Sequence, residues 1–203
     1  MELLEQTLET VAENVAFDVA MLAGGREAAR VWECGVGAVV LGRSGRVEDD
    51  VWEEACFADG VAVVRRESGG GTVWVGPGCV NYALVLSLDA RPELGDVGLS
   101  MRRLLGAVIR ALGVEGLAVA GSDVVLGDRK VSGCAQRRVR GWVLHHGTVL
   151  CREAELGLIA RYLKEPPAQP EHRGGRSHLD FVTRLPLGAA EAAAALRELP
   201  RLL

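Results

Sequence analysis

The chain runs to 203 residues, 49% hydrophobic and 25% charged, which suits one sizeable core or at most two small domains and excludes a disordered polymer. Its net charge of −4 gives no support for a general nucleic-acid binder, and no run reaches the roughly 18 apolar residues that a membrane helix needs. Five cysteines (34, 56, 79, 134 and 151) are odd in number and lack CxxC spacing, and the N-terminus opens acidic, so reduced thiols in a cytoplasm fit better than disulfides, zinc or a secretory signal.

Taken in order, Met1 to Gly24 predicts an amphipathic helix, with Leu4, Leu8, Val11, Val15, Val19 and Leu22 at three- and four-residue spacing and Gly24-Gly25 as the stop. Val31 to Glu33 and Ala38 to Leu41 read as strands, and Glu48 to Asp59 as a helix ended by Gly60. Val61 to Val64 and Thr72 to Val75 flank a run of three glycines and suggest a strand–turn–strand unit with the glycines at the bend. Asn81 to Leu88 predicts a buried strand, and Leu99 to Leu112 a helix stopped by Gly113. Short strands follow at Val114 to Val119, Val124 to Leu126, Lys130 to Gln136 and Trp142 to Leu150. Leu156 to Leu163 is a short helix, Glu165 to Arg176 a loop rich in Pro, Gly, Arg and His, and Ala189 to Leu199 an alanine-rich helix. Strands and helices alternate without a βαβ rhythm, which predicts an α+β layer architecture over a doubly wound parallel sheet. No repeat or linker marks a second domain, so residues 1–203 are expected to form one domain.

Chemistry concentrates first in Arg65-Arg66-Glu67-Ser68-Gly69-Gly70-Gly71-Thr72-Val73-Trp74. Glycine permits positive φ and close approach of a ligand to the backbone. Successive N–H groups in such a loop can form an anion-binding concavity, with the guanidinium groups of Arg65 and Arg66 beside it. A plain hairpin with two solvated arginines is the bland alternative. The second concentration is Gly127-Asp128-Arg129-Lys130-Val131-Ser132-Gly133-Cys134-Ala135, followed by His145-His146-Gly147-Thr148. Small residues at Ser132, Gly133 and Ala135 would let a ligand approach the strand, where Lys130 could neutralise a phosphate and polarise a carbonyl together. An edge-strand surface lysine is the alternative.

Together these segments resemble the catalytic domain of the lipoate–protein ligase family, related to biotin ligases and octanoyltransferases. The resemblance covers about residues 14 to 150: the Arg65-Arg66-x-Ser68-Gly69-Gly70-Gly71-x-Val73 loop, the Lys130 motif, the His145-His146-Gly147-Thr148 run, Val39 to Arg43 and, more faintly, Asn14 to Asp18. It implies a mixed sheet flanked by helices, as in class II aminoacyl-tRNA synthetases and biotin synthetases. It implies a reaction in which lipoate (or octanoate) and ATP with Mg2+ give an acyl-AMP, whose acyl group passes to a lysine of an acceptor domain. By motif match, Arg66 should meet the adenylate or acyl carbonyl, Gly71 to Trp74 should lie along nucleotide and acyl chain, and Lys130 should bridge α-phosphate and acyl carbonyl. Asp123 falls near the family's Asn-Asp position, and His146 could serve as a base or carry a hydrogen bond. No protein-bound metal is expected. Lipoyl-acceptor domains of 2-oxoacid dehydrogenase acyltransferase subunits and the glycine-cleavage H protein are the implied partners.

Two other readings differ in mechanism. A cysteine-dependent octanoyl or lipoyl transferase would carry the acyl group as a thioester without ATP, through Cys79, Cys134 or Cys151. Such transferases typically have Gly-Gly-Arg where this chain has Gly69-Gly70-Gly71, and the ligase-like subgroup places its cysteine just before the lysine motif, where Glu115 to Arg129 has none. A non-catalytic lipoyl-domain-binding protein would need neither Arg66 nor Lys130. The chain departs from the family after the glycine loop, where Val75-Gly76-Pro77 replaces a polar His-Asp pair. The expected single domain also leaves no C-terminal accessory domain, which suggests a separate accessory polypeptide. Gln169 to Phe181 reads as a basic surface loop in preference to a lid.

Overall fold

The computed structural model describes all 203 residues. At its centre lies β6 (Cys79–Ser87), whose side chains are buried on both faces up to Leu86. Val80, Tyr82, Leu84 and Leu86 face one core and Ala83 and Val85 another, which explains why the sequence there is nearly continuously apolar. Around it a seven-stranded sheet assembles in the order β1 (Glu2–Leu4), β2 (Ala28–Trp32), β6, β10 (Trp142–Leu150), β9 (Arg129–Val139), β8 (Asp123–Leu126), β7 (Leu117–Ala120). All its pairings are antiparallel except β1 with β2. This is the α+β mixed sheet expected from the pattern.

Helix α4 (Val97–Leu112), entered through Asp96, whose carboxylate accepts from Leu99 N at 2.6 Å, covers one face with Leu104, Leu105, Val108 and Leu112. Each such side chain contributes about 1.5–3 kcal/mol on burial. Gly113 closes the helix at φ 61°, a left-handed turn suited to glycine. Helix α1 (Val11–Ala23) packs on the opposite face through Met21 and Leu22. A second, three-stranded sheet is ordered β4 (Ala62–Arg65), β3 (Ala38–Leu41), β5 (Val73–Val75). It shares an apolar cluster with the helix Gly157–Tyr162, where Trp74 and Tyr162 stack with ring centroids 5.0 Å apart. No helix is long and apolar enough to cross a membrane.

Four expectations are corrected. The N-terminal helix begins at Val11, not Met1: Thr10 and Glu13 form a capping box, and Glu2–Leu4 instead pairs with β2. The helix expected over Glu48–Asp59 is broken at Val51, which is extended and bridges Leu163, leaving Val47–Asp50 and Glu53–Ala58. The glycine loop is not a hairpin turn, because β3 lies between β4 and β5 and pairs with both, parallel to the first and antiparallel to the second. The tail helix stops at Leu196, and Pro200 opens a short final turn over Leu199–Leu202.

Candidate functional site

A cavity of about 280 Å³ opens between the glycine loop, β9, β10 and α1. Its near edge is built by Arg66, a 7% exposed arginine folded into its own loop. Nε donates to Ser68 Oγ (3.0 Å), Nη1 to Val40 O (3.2 Å), and Nη2 to Gly69 O (2.6 Å) and Gly71 O (2.7 Å). Three of the five guanidinium N–H groups are therefore committed to the loop and a fourth to β3, which leaves one for a ligand. Burial lowers its pKa to about 10, so it stays charged at neutral pH. Gly70 adopts φ 86°, and a Cβ on Gly42 would collide with the Gly70 carbonyl, so both contacts require glycine. Gly70, Gly71, Thr72, Val73 and Trp74 line the cavity, and Thr72 Oγ1 is anchored to Asp50 Oδ2 at 2.7 Å.

Three expected contacts of this loop lie elsewhere. Arg65 points away and clamps the turn after β3 through the carbonyls of Gly42, Arg43 and Gly45 (3.1, 3.1 and 2.7 Å), since it immediately precedes Arg66 and its side chain leaves the opposite side of the backbone. Ser68 is 2% exposed beneath the loop and braces it. Gly69 faces a separate groove beside Arg43 and Arg137.

The far edge is set by a β-bulge. Val124 opposes Ser132 and Val125 opposes Lys130, so Val131 is the extra residue on β9. The bulge resets the alternation and brings Lys130, Gly133 and Ala135 to the cavity. Val131 is buried in the core behind the sheet, and Ser132, 1% exposed, does not reach the cavity. The expectation for Ser132 is corrected accordingly. Lys130 Nζ lies 2.9 Å from Asp123 Oδ1, and a Cβ built on Gly133 would fall 2.6 Å from that nitrogen. Asp123 also lines the cavity, and its Oδ2 is 3.0 Å from His172 Nε2.

A buried polar chain running from β10 through α1 to β2 backs the glycine-loop edge. His146 Nε2 is 2.6 Å from Ser68 Oγ, and its Nδ1 is 3.7 Å from Asp18 Oδ2. Asp18 is paired with Arg30 (2.9 Å), which is fully buried and also donates to Asn14 Oδ1, Asn14 O (3.1 Å) and Gln6 O (2.6 Å). Ser68, His146 and Asp18 match a hydrolytic triad in composition. The serine, however, is sealed under its loop and already accepts from Arg66, so it is no nucleophile. Sequence reading missed Arg30 and this chain, although a signal existed: Asn14 and Asp18 interrupt the apolar stripe of α1 at i, i+4 spacing.

The remaining wall was also missed. Lys164, Pro166, Ala168, Pro170, Arg173 and Phe181 all line the cavity, so the segment expected to be a basic surface loop is a wall of the site. Arg173 and Arg176 stack on Phe181 (5.1 and 5.3 Å to the ring centroid), and Arg173 pairs with Glu165. Arginine and aromatic residues in a Pro/Gly-rich stretch look like surface until the ring they share is known.

None of the three candidate nucleophiles, Cys79, Cys134 and Cys151, is poised as a thiolate. Burial raises Cys79 to about 11 and Cys151 to about 12. Cys134, half-buried by the cavity, is pushed far upward by burial and then by Asp123, and its thiol donates to Ser122 O at 3.0 Å.

Fold and cavity together define an α+β protein that presents a glycine-lined backbone and a lysine on opposite edges of one largely apolar pocket. Residues 10–189 match the model of the lipoyl protein ligase A/B catalytic domain, and the chain belongs to that family. It is similar in fold to lipoate-protein ligase A solved with ATP bound (22% identity, TM-score 0.80, covering 96% of this chain and 81% of that one). Another similar structure is a bi-partite lipoate protein ligase from Thermoplasma acidophilum solved with its E2 lipoyl domain (23%, TM-score 0.79, 98% and 81%). A third is P. falciparum LipL1 in complex with lipoate (18%, TM-score 0.75, 98% and 60%).

Proposed function

We propose that this chain is an ATP-dependent lipoate–protein ligase of the cytoplasm, acting on lipoate or octanoate. In the first step a carboxylate oxygen of the acid attacks the α-phosphorus of ATP and pyrophosphate leaves. In the second a neutral lysine amine of the acceptor attacks the acyl carbon, the bond to AMP breaks, and the amine loses a proton as the amide forms. Both steps build negative charge on oxygens that a fixed cation opposes. The observation that carries this reading is Lys130 facing the Gly70–Val73 backbone across one cavity; burial pushes the thiols of Cys79, Cys134 and Cys151 upward, away from the thiolate form. A thioester route needs a thiolate, so this shift disfavours it.

In this reading Gly70 to Val73 cradle the nucleotide, Trp74 and Val40 offer apolar surface to the acyl chain, and the one free N–H of Arg66 reaches the ligand. The cavity carboxylates Asp18, Asp50 and Asp123 are each bonded to protein donors, and no group of three metal-ligating side chains exists. Magnesium, which favours phosphate oxygens with one or two carboxylates, therefore fits here as part of MgATP. The bi-partite relative favours a lipoyl domain as acceptor and a separate accessory polypeptide as partner.

The test is incubation with lipoate, MgATP and an apo lipoyl domain, with and without a candidate accessory chain. Acceptor mass should rise and pyrophosphate appear only when ATP is present. ATP-independent transfer from an octanoyl carrier protein would sink the ligase reading. Alanine at Cys79, Cys134 and Cys151, singly, should leave the rate within about threefold of the parent, since each acts only as a small buried group. A loss of several orders of magnitude at one of them would restore the thioester route. Gly133→Ala should cost about tenfold in kcat with little change in thermal midpoint, because the added methyl displaces the flexible end of Lys130 and no backbone. Initial rates and a melting curve report both.

A further inference from the structure

One contact joins the wall segment to the Lys130 site from outside the cavity. His172, in a single 3-10 turn over Glu171–Arg173, places Nε2 3.0 Å from Asp123 Oδ2, while the other oxygen of that carboxylate holds Lys130 Nζ at 2.9 Å. Asp123 is 4% exposed, so water is a poor substitute for either partner. We propose that His172 is a positioning residue for the acyl-transfer reaction: it fixes one oxygen of Asp123 so that the other aims the Lys130 ammonium into the cavity. The proposal rests on the ligase reading above and extends it to a residue that does not itself touch the cavity.

His172 is held well enough to do this. Its ring lies against Phe181 (centroids 5.5 Å apart), and its carbonyl accepts from Arg176 Nη2 at 2.9 Å. Arg176 in turn grips the turn between β8 and β9, donating to Asp128 Oδ2 (2.9 Å) and Asp128 O (2.8 Å). The imidazole is thus fixed relative to the same hairpin that carries Asp123 and Lys130. On the other side Lys130 Nζ lies over Gly133, in the space that a Cβ there would fill. The ammonium is confined between Asp123 and the strand, and His172 sets where Asp123 stands. Outer partners of this kind act by geometry, and displacing a reacting group by about 1 Å can cost on the order of a hundredfold in rate.

His172→Ala should lower kcat for lipoyl-AMP formation about ten- to a hundredfold while KM for lipoate and ATP stays near the parent value. His172→Gln, which keeps an N–H donor, should recover most of the loss. In an Asp123→Ala background His172→Ala should have no further effect, since the histidine acts through that carboxylate. A readout independent of activity exists because the chain has only two lysines, Lys130 and Lys164. Lys164 Nζ is bonded separately, to Glu48 O at 2.8 Å, and serves as the internal reference. Brief acetic anhydride labelling, read by peptide mass spectrometry, should show the Lys130 to Lys164 ratio rising severalfold in His172→Ala. An unchanged labelling ratio, equal losses in the Ala and Gln variants, or a further loss in the Asp123→Ala background would each overturn the proposal. If the parent protein makes no lipoyl-AMP, the ligase reading fails and the labelling ratio alone decides the role of His172.

Discussion

Replacing Lys130 by alanine is expected to reduce acyl transfer by on the order of 10³ or more while the protein remains folded. Removing one preorganised donor from a developing oxyanion typically costs about 10²–10³. Lys130 is proposed to oppose charge in both half-reactions, so the overall loss should reach the upper end. Its side chain is 23% exposed and makes one ion pair, to Asp123. Asp123 keeps His172 as a partner when the lysine is gone, so the fold should tolerate the change. The half-reactions can be separated: pyrophosphate release reports adenylation, and supplying preformed lipoyl-AMP with an apo lipoyl domain reports transfer. Lys130→Arg should not rescue, because a planar guanidinium is larger and cannot occupy the point-charge position against the Gly133 backbone. Binding of a non-hydrolysable lipoyl-AMP analogue should survive in both variants, weakened. Full activity in Lys130→Ala would remove the residue from the chemistry and leave the charge on the reacting oxygens to be opposed by another group; a parent chain that binds the analogue and transfers nothing would instead favour a binding protein.

Lys130 and the glycine loop were legible in the sequence because each depends on local chemistry: three glycines in a row, and one lysine among small residues. The side a residue faces was not. Arg65 and Arg66 are adjacent, yet one clamps a distant turn and the other braces the loop beside the cavity. Ser132 would share a face with Lys130 under strict alternation, and the bulge at Val131 cancels that parity. Pairing partners were equally hidden. β4 and β5 look like a hairpin because they are close in sequence, and the strand between them comes from 38–41. The start of α1 is marked in the sequence by the Thr10-Val11-Ala12-Glu13 capping box, but Leu4 and Leu8 continue the helical spacing ahead of it and mask the signal. The wall from Lys164 to Phe181 depends on long-range contacts, and a sequence rich in proline, glycine and arginine carries little sign of them.

Asp18→Ala should destabilise the protein by about 3 kcal/mol. Removing one partner of a buried ion pair typically costs about 3–5 kcal/mol, because the remaining charge stays buried without its counter-ion. Arg30 is fully buried, but Gln6 O, Asn14 O and Asn14 Oδ1 continue to accept from it, which places the cost at the lower end. Trp32 Nε1 also loses its 3.4 Å contact to the same carboxylate. Urea unfolding measures the effect, and a loss below about 1 kcal/mol would mean the pair does not tie α1 to β2. The double variant Asp18→Ala with Arg30→Met removes both charges, and such replacements by apolar groups are often neutral or stabilising. It should therefore recover much of the stability lost in the single variant. Activity should not recover with it. Asp18 Oδ2 is the acidic group facing His146 Nδ1, and the other ring nitrogen holds Ser68 under the glycine loop. Without Asp18 the imidazole is no longer flanked on its Nδ1 side and its hold on Ser68 beneath the loop loosens, so KM for ATP should rise in the stable double variant as in the single one. Recovery of stability together with normal KM would confine the network to holding α1 in place; stability without normal KM assigns it the shape of the nucleotide-facing backbone as well.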